Sequence, residues 1–229
     1  MHILDQIPYV SVELRWISPL AGAPFTRARQ LRGAIAHAFP DDNRFHQHDA
    51  DGKPLYRYPP IQYRWKDGYG VVAGWLMGAE TLLNISWLDL PLTIGKDEVQ
   101  VTDAIMSTQY AQFGISEYLI YYHFMNPVLL FKQENYKKYK ALESKTAQRY
   151  EQDRLLVAQL LSAMRGLGVN FEVQLYAAFT HIKTCQCRYK GQTMLGIQGD
   201  FVTNALLPPG LAIGHAVSHG HGWIVPNKE

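Results

Sequence analysis

The chain has 229 residues, a length that fits one large domain or two small ones. Apolar residues make up 47% of it, which argues against disorder, and no apolar run approaches the roughly 20 residues of a membrane-spanning helix. The formal net charge of +2 does not by itself indicate a nucleic-acid partner. With no signal-peptide pattern and only two cysteines, we expect a cytoplasmic protein with reduced thiols.

The first strand and the first helix follow from the spacing of apolar residues. The stretch "YVSVELRWI" alternates, with every second residue from Val10 to Trp16 on one face, and predicts a half-buried strand. Thr26 is suitably placed to cap a helix over "RARQLRGAIAHAF", in which Leu31 and Ile35 have helical spacing.

The stretch "FHQHDADGKPLYRYPPIQYRW", residues 45–65, predicts a hairpin that turns at Asp51-Gly52 and carries histidines on its first strand. The register of the turn stays open. A three-residue turn would place Tyr56 opposite His46, whereas a two-residue turn would place Arg57 there.

The later elements alternate between helical and strand patterns. After a turn at Asp67-Gly68, "YGVVAGWLMG" predicts a strand, "GAETLLNI" a short helix and "SEYLIYYHF" a strand. Helical spacing extends from Tyr136 to Met164, and "VNFEVQLYA" and "FTHIKTCQCRYK" then alternate as strands. This order predicts two α+β sandwiches, each with helices on one face of an antiparallel sheet.

His46 and His48 are the first candidates for chemistry. On a strand they would share a face, with Cβ atoms about 6–7 Å apart, and could flank one phosphate. RNA cleavage by a neighbouring 2′-hydroxyl needs a base, an acid and a positive group, and histidine suits the first two roles because its pKa is about 6.5. Tyr56 or Tyr58 could orient the ribose. Two exposed histidines without a role are the alternative.

A metal site is the other reading of "HQHD". This segment resembles the start of a two-metal hydrolase motif, which needs an acid two residues after the second histidine and another histidine directly after that acid. Asp49 instead follows His48 at once, so the spacing disfavours a metal site. We expect no bound metal or cofactor.

The glycine-rich segment "GLAIGHAVSHGHGWI" near the end of the chain is the second candidate. Glycines let a backbone approach a phosphate closely, and successive amides can form an anion-binding nest. A tight structural turn is the alternative. The segment matches neither a dinucleotide-binding fingerprint nor a P-loop.

Together these segments resemble the CRISPR-associated endoribonucleases that cut precursor CRISPR RNA within each repeat, which belong to the repeat-associated RNA-binding superfamily. "AIGHAVSHGHGWI" is similar to the glycine-rich loop of that family, although Ala212 replaces its first glycine and His221 its aromatic residue. "FHQHD", "YRYPPIQYRW" and "YHFMNPVLLFKQENYKKY" are similar to the branch marked by Phe-His-Asn-His, Tyr-x-Tyr-Pro-x-Ile-Gln-Tyr-Lys and an Asn-Tyr before a long helix.

The resemblance implies tandem ferredoxin-like domains, here residues 1–125 and 126–229, and a metal-independent cut that leaves a 2′,3′-cyclic phosphate and a 5′-hydroxyl. His46 and His48 become base and acid in an order that stays open, with Tyr56 assisting. The implied partners are precursor and mature CRISPR RNA and subunits of a CRISPR effector complex, and homodimerisation stays open. The functional alternatives are a non-catalytic RNA-binding subunit of such a complex and a metal-dependent phosphohydrolase.

The charge pattern and the resemblance together predict an RNA-binding surface on the first helix, the return strand and the glycine-rich loop. Its residues are Arg27, Arg29, Arg32, Arg57, Tyr58, Arg64, Lys66, Gly214, His215, Ser218, His219, Gly220, His221 and Gly222.

Overall fold

A computed structural model describes residues 1–40, 42–46, 58–189 and 191–227, with only the backbone at Asn43 and His46. Its α-helices are α1 (Pro24–Ala38), α2 (Asn43–His46), α3 (Met77–Leu83), α4 (Gln133–Lys140) and α5 (Lys145–Gly166). Its strands are β1 (His2–Arg15), β2 (Ile61–Lys66), β3 (Tyr69–Trp75), β4 (Pro91–Ile94), β5 (Asp97–Gln100), β6 (Asp103–Phe124), β7 (Ala177–Tyr189), β8 (Gln192–Leu206) and β9 (Ile224–Pro226).

Hydrogen bonding joins the strands of the larger sheet in the order β2-β3-β1-β6-β8-β7, with β9 paired to β6, while β4 and β5 form a separate pair. The pairs β1·β3, β2·β3, β6·β8, β6·β9 and β7·β8 are all antiparallel. The predicted α+β class with an antiparallel sheet is therefore confirmed.

The chain forms two compact units. The N-terminal unit comprises Ile7–Ala111 and Ser218–Gly220, and the C-terminal unit comprises Met1–Gln6, Gln112–Val217 and His221–Glu229. A division into domains after residue 125 stays a prediction.

Helix α1 packs on the sheet of the N-terminal unit as its apolar spacing predicts, with Leu31 and Ile35 fully buried. It begins at Pro24 with Ala23 as N-cap, so the prediction that Thr26 caps it is wrong. Proline has the backbone φ of a helix and needs no amide hydrogen-bond partner in the first turn, so the helix can begin three residues earlier.

The hairpin of β2 and β3 turns at Asp67-Gly68 as predicted, with Lys66 paired to Tyr69. The predicted strand at Phe45 and His46 is wrong, because both residues lie in α2. The amide of Phe45 donates to the carbonyl of Asp42, which closes a helical turn. The rest of the predicted histidine strand and its turn, residues 47–57, lie outside the described residues.

Two predictions for the C-terminal unit are wrong. The helix predicted from Tyr136 to Met164 is two helices, because the Ser144 hydroxyl accepts a hydrogen bond from the amide of Ala147 and starts α5 anew. The strand predicted in "VNFEVQLYA" does not form. The side chain of Asn204 bonds the backbone of that segment, and β7 begins only at Ala177.

The core of the C-terminal unit consists of aromatic side chains from β6, β7 and β8. Phe124 lies with its ring centroid 5.1 Å from that of Phe201 and 6.0 Å from that of Phe179. Helix α5 is tied to this layer because the amide of Phe179 donates to the Asp153 carboxylate. Cys185 and Cys187 are free thiols. Across the described residues, every helix is too short or too polar to span a membrane.

Candidate functional site

Arg32 of α1 is hydrogen bonded to the glycine-rich loop within the N-terminal unit. Its Nη1 lies 2.8 Å from His219 Nε2. A guanidinium can only donate, so Nε2 must accept, and the imidazole is neutral with its hydrogen on Nδ1. That Nδ1 lies 3.2 Å from Ser218 Oγ and donates to it. The proton of the Ser218 hydroxyl is thereby left to donate to another group.

Gly220 allows this part of the loop to approach α1 and β2 closely. Its φ is +84°, and a Cβ at this position would lie 2.9 Å from the Cβ of Ala28 and 3.2 Å from the carbonyl oxygen of Tyr63. Any other residue would be strained in this backbone conformation and would push the loop away from the helix. Glycine is therefore required for the pairing of Arg32 with His219.

The C-terminal end of α1 supports the segment that carries His46. Phe45 is buried, and its ring stacks on Phe39 with centroids 5.2 Å apart, while Phe39 meets the edge of Trp87. Phe39 follows Arg32 by seven residues, about 10 Å along the helix axis. Helix α1 and its C-cap residue Phe39 thus contact both the glycine-rich loop and the residue directly before His46.

Strand β2 carries Arg64, a predicted RNA-binding residue, and the neighbouring Gln62 and Tyr63, which the sequence analysis did not single out. Arg64 is buried and donates to the hydroxyl of Tyr9 at 3.2 Å and to the side-chain oxygen of Gln62 at 3.3 Å. Burial strongly raises the pKa of Tyr63, and the positive charge of Arg32 acts in the opposite direction. Among the described residues, the Tyr63 hydroxyl has no hydrogen-bond partner.

Not all of the predicted arginines on α1 face solvent. Arg27 pairs with Asp97 at 2.6 Å and also donates to the carbonyls of Ala21 and Ile94. Its hydrogen-bonding groups are thus largely used within the protein, and a role in RNA binding stays a prediction. Arg29 is exposed.

The remainder of the glycine-rich segment packs inside the C-terminal unit. His221 is buried, and its Nδ1 donates to the carbonyl of Pro127. A Cβ on Gly222, whose φ is +68°, would lie 1.9 Å from the carbonyl oxygen of Ile213. The amide of His215 donates to the carbonyl of Leu129. Much of this backbone therefore has the form of a tight structural turn.

The burial of His215 and His221 affects their protonation. Desolvation lowers the pKa of both imidazoles, and the charge of Lys132 lowers that of His215 further. Both side chains are therefore neutral in the folded protein down to a lower pH than an exposed histidine would be.

The structure leaves several predicted residues without a described environment. His48, Tyr56 and Arg57 lie outside the described residues, and His46 has only its backbone. Tyr58 is partly buried and Lys66 is exposed. The structure brings Arg32, Ser218, His219 and Gly220 together in the N-terminal unit, whereas Gly214, His215, His221 and Gly222 belong to the C-terminal unit.

A second polar cluster, which the sequence analysis missed, lies on neighbouring strands of the C-terminal unit. His123 donates to Asp200 at 2.6 Å, and His181 lies 3.6 Å from the same carboxylate. A bulge between Phe179 and His181 brings His181 opposite Asp200. These three residues are far apart in the sequence and come together only because their strands pair in the sheet. In the described part of the chain, no group of three or more His, Cys, Asp or Glu side chains could hold a metal ion.

Solved structures define the class of protein to which this fold belongs. A crystal structure of Cas6b covers 97% of this chain and 100% of its own, with a TM-score of 0.84 and 23% identity. A second, of the CRISPR RNA processing endoribonuclease Cas6b, has the same coverage, a TM-score of 0.72 and 22% identity. The type IV Cas6 crRNA endonuclease Csf5 matches 97% of the chain and all of its own with a TM-score of 0.57 at 10% identity. These matches establish a Cas6-like fold.

Sequence comparison then identifies the family. The Cas6b N-terminal domain matches residues 6–112, and the Cas6b C-terminal domain matches residues 114–227. An uncharacterized protein of Methanocaldococcus jannaschii is 30% identical over 151 residues, which are 66% of this chain and 99% of that protein. The chain belongs to the Cas6b family, and the resemblance found in the sequence is confirmed.

Proposed function

We propose that the protein is a metal-independent endoribonuclease that cleaves precursor CRISPR RNA within its repeats. Membership of the Cas6b family carries this proposal, because the two domain families match in order over nearly the whole chain. A solved structure with the same fold is described as a CRISPR RNA processing endoribonuclease. The Phe-His-x-His segment that follows α1 supplies the histidines that the chemistry needs.

In the proposed reaction, one of His46 and His48 takes the proton of a ribose 2′-hydroxyl, whose oxygen attacks the adjacent phosphorus. The other histidine protonates the 5′-oxygen as the P–O5′ bond breaks. The products are a 2′,3′-cyclic phosphate and a 5′-hydroxyl. Tyr56 assists by orienting the ribose or by donating to the phosphate.

Arg32 is the strongest candidate for stabilising the charge that develops on the phosphate. A guanidinium has five N–H donors, and within the described residues one of those of Arg32 goes to His219. The other donors and the positive charge suit a phosphate. His219 and Ser218 hold this arginine at the glycine-rich loop. The remaining proposed RNA contacts are Arg27, Arg29, Arg57, Tyr58, Arg64, Lys66, Gly214, His215, Gly220, His221 and Gly222.

The finer organisation is also proposed. The α+β units with antiparallel strands support two ferredoxin-like domains, residues 1–125 and 126–229. The family supports a cytoplasmic protein that binds precursor CRISPR RNA, retains the mature CRISPR RNA and contacts subunits of a CRISPR effector complex.

The test is a cleavage assay with the repeat RNA of the same genome in EDTA. We expect a single cut whose upstream product resists periodate and whose downstream product is labelled by polynucleotide kinase. A matched RNA with a 2′-deoxyribose on the 5′ side of the cut should bind but stay intact. Cleavage that requires a divalent cation would refute the mechanism.

The alternative is a non-catalytic RNA-binding subunit of an effector complex. The packing of His221 and Gly222 against the protein's own backbone favours it, since those groups serve the fold. In the same assay, tight binding of the repeat without any cut would select this alternative.

A further inference from the structure

A cavity of about 350 Å³ opens in the C-terminal unit between the start of α4 and the start of β8. The amide of Val128 donates to the carbonyl of Ile197 at 2.8 Å, and the amide of Ile197 donates to the carbonyl of Val128 at 2.9 Å. The segment that leads into α4 therefore runs antiparallel to β8, and residues 131–136 come opposite residues 192–195. We name this the α4 cavity.

The ring of Tyr136 forms part of the wall of the α4 cavity and is 37% exposed. It packs edge-on against Phe131, with centroids 5.9 Å apart, and stacks on Tyr139 at 6.3 Å. Tyr139 is in turn buried and bonded to Gln152 at 3.0 Å. The ring of Tyr136 is thus held in position by its neighbours while part of its surface stays open to a ligand.

Polar groups in the α4 cavity suit the edge of a nucleobase. Gln133 and Gln192 line it from opposite sides, and each amide offers donors and an acceptor. Met194 adds an adaptable apolar surface. An apolar wall with a few polar groups is the usual composition of a small-molecule site, and the volume lies at the lower end of the roughly 300–1,000 Å³ of such sites.

The surroundings of the α4 cavity are basic. Lys132 lines it, and α4 continues with Lys137, Lys138 and Lys140 against a single acid, Glu134. Nucleic-acid phosphates would find countercharges along this helix, whereas the cavity itself is lined by uncharged groups apart from Lys132. An acidic peptide would need several positive charges inside the cavity to pair with its carboxylates. The distribution of charge around the cavity therefore favours RNA.

We propose that the α4 cavity binds one unpaired base of the RNA, stacked on Tyr136, with the flanking phosphates at the lysines of α4. The RNA partner rests on the proposed function. Stacking on an aromatic ring is tolerant of base identity, and the two glutamine side chains can add a preference. This site also gives a role to the Asn-Tyr segment, which the proposed cleavage chemistry does not use.

The first experiment measures RNA binding by fluorescence anisotropy in EDTA, with the 2′-deoxy repeat RNA that cannot be cut. We expect Tyr136→Ala to weaken binding about 5- to 100-fold, the scale of one base stacked on an aromatic ring. Tyr136→Phe should bind like the wild type. Tyr150→Ala is the matched control, since Tyr150 is an exposed tyrosine on α5. Urea unfolding checks that the variants are folded.

A scan with single abasic positions then locates the base. Removing the base at one unpaired position should weaken binding to the wild-type protein as much as Tyr136→Ala does. The same abasic RNA should bind Tyr136→Ala no more weakly than the intact RNA does. Equal affinity of wild type and Tyr136→Ala, or an equal loss in Tyr150→Ala, would overturn the proposal.

The second experiment separates a failure of this site from a failure of the proposed function. Methyl NMR of Met194, assigned with Met194→Leu, is followed during titration with AMP, GMP, CMP, UMP and ribose 5-phosphate. We expect the nucleotides to shift the signal and ribose 5-phosphate to leave it unchanged, whether or not the protein cleaves its repeat. A shift with ribose 5-phosphate alone would mean an anion site, and no shift with any nucleotide would also refute the base site.

Discussion

The first turn of α1 and the later part of the same helix both carry arginines, but the two regions place them in different surroundings. In the first turn, Arg27 bonds Asp97 at 2.6 Å and the carbonyls of Ala21 and Ile94, with its guanidinium over the ring of Trp65. These contacts fasten the helix to the β4·β5 pair. Arg27 is therefore part of the scaffold of the N-terminal unit.

The later part of α1 faces the candidate site instead. Arg32 is bonded to His219 of the glycine-rich loop, and Phe39 stacks on Phe45, the residue before His46. Charge alone does not separate Arg27 from Arg32, since both are arginines on one helix. The two arginines differ in their surroundings: carbonyl and carboxylate oxygens of the protein surround the guanidinium of Arg27, whereas that of Arg32 is bonded to a histidine. We call the part of α1 around Arg27 its structural end and the part from Arg32 onward its chemical end.

The largest effect is expected at the chemical end. His46→Ala should lower the single-turnover rate of repeat cleavage by about 10²–10⁴-fold, because a general acid or base contributes on that scale. Repeat binding, measured by anisotropy, should stay within a factor of about two. His181→Ala is the control, since that side chain is 83% exposed and belongs to the C-terminal unit. A parallel loss of binding would make His46 a positioning group.

At the structural end, Arg27→Ala should lower the free energy of unfolding in urea by about 1.5–3 kcal/mol. The variant leaves Asp97 and two carbonyls without their charged donor, and hydrogen bonds to charged groups have this magnitude. Arg29→Ala, at an exposed position on the same helix, should change stability by less than about 0.5 kcal/mol. Unchanged stability of Arg27→Ala would contradict a structural role for this arginine.

A smaller effect is expected for Arg32→Ala on the salt dependence of RNA binding. Losing one phosphate contact should reduce the slope of log K against log salt by about 0.7 for single-stranded nucleic acid. Arg154→Ala provides the control, because Arg154 pairs with Glu151 on α5. An unchanged slope in Arg32→Ala would show that this arginine only positions the loop.

The smallest effect concerns pH and the buried end of the glycine-rich segment. Burial lowers the pKa of His221 in the folded protein. As the pH falls through about 6.5, the unfolded chain therefore binds a proton at this histidine before the folded protein does. This histidine should therefore lower stability as the pH falls from 7.5 to 5.5. His221→Gln should reduce the difference between the urea midpoints at these two pH values. An unaltered pH dependence in His221→Gln would contradict the assignment.

Local patterns predicted most of the regular structure. Alternation from Val10 to Trp16 predicted the second half of β1, and helical spacing of Leu31 and Ile35 predicted the buried face of α1, because burial imposes its period on any element with one buried face. Predictions failed where a single contact outweighs the pattern. Asn204 bonds the backbone of a segment that alternates like a strand, and a helical turn carries Phe45 into the core.

The sequence by itself determined the α+β class, the family and the two segments that carry its candidate chemistry, because composition, spacing and short motifs are local properties. The tertiary structure decided which of those residues meet. The Arg32–His219 bond joins residues 187 positions apart, and the α4 cavity forms where the Val128–Ile197 pairing aligns two segments. Contacts between residues so far apart in the sequence depend on loop geometry and on close packing across the fold, which no local pattern encodes.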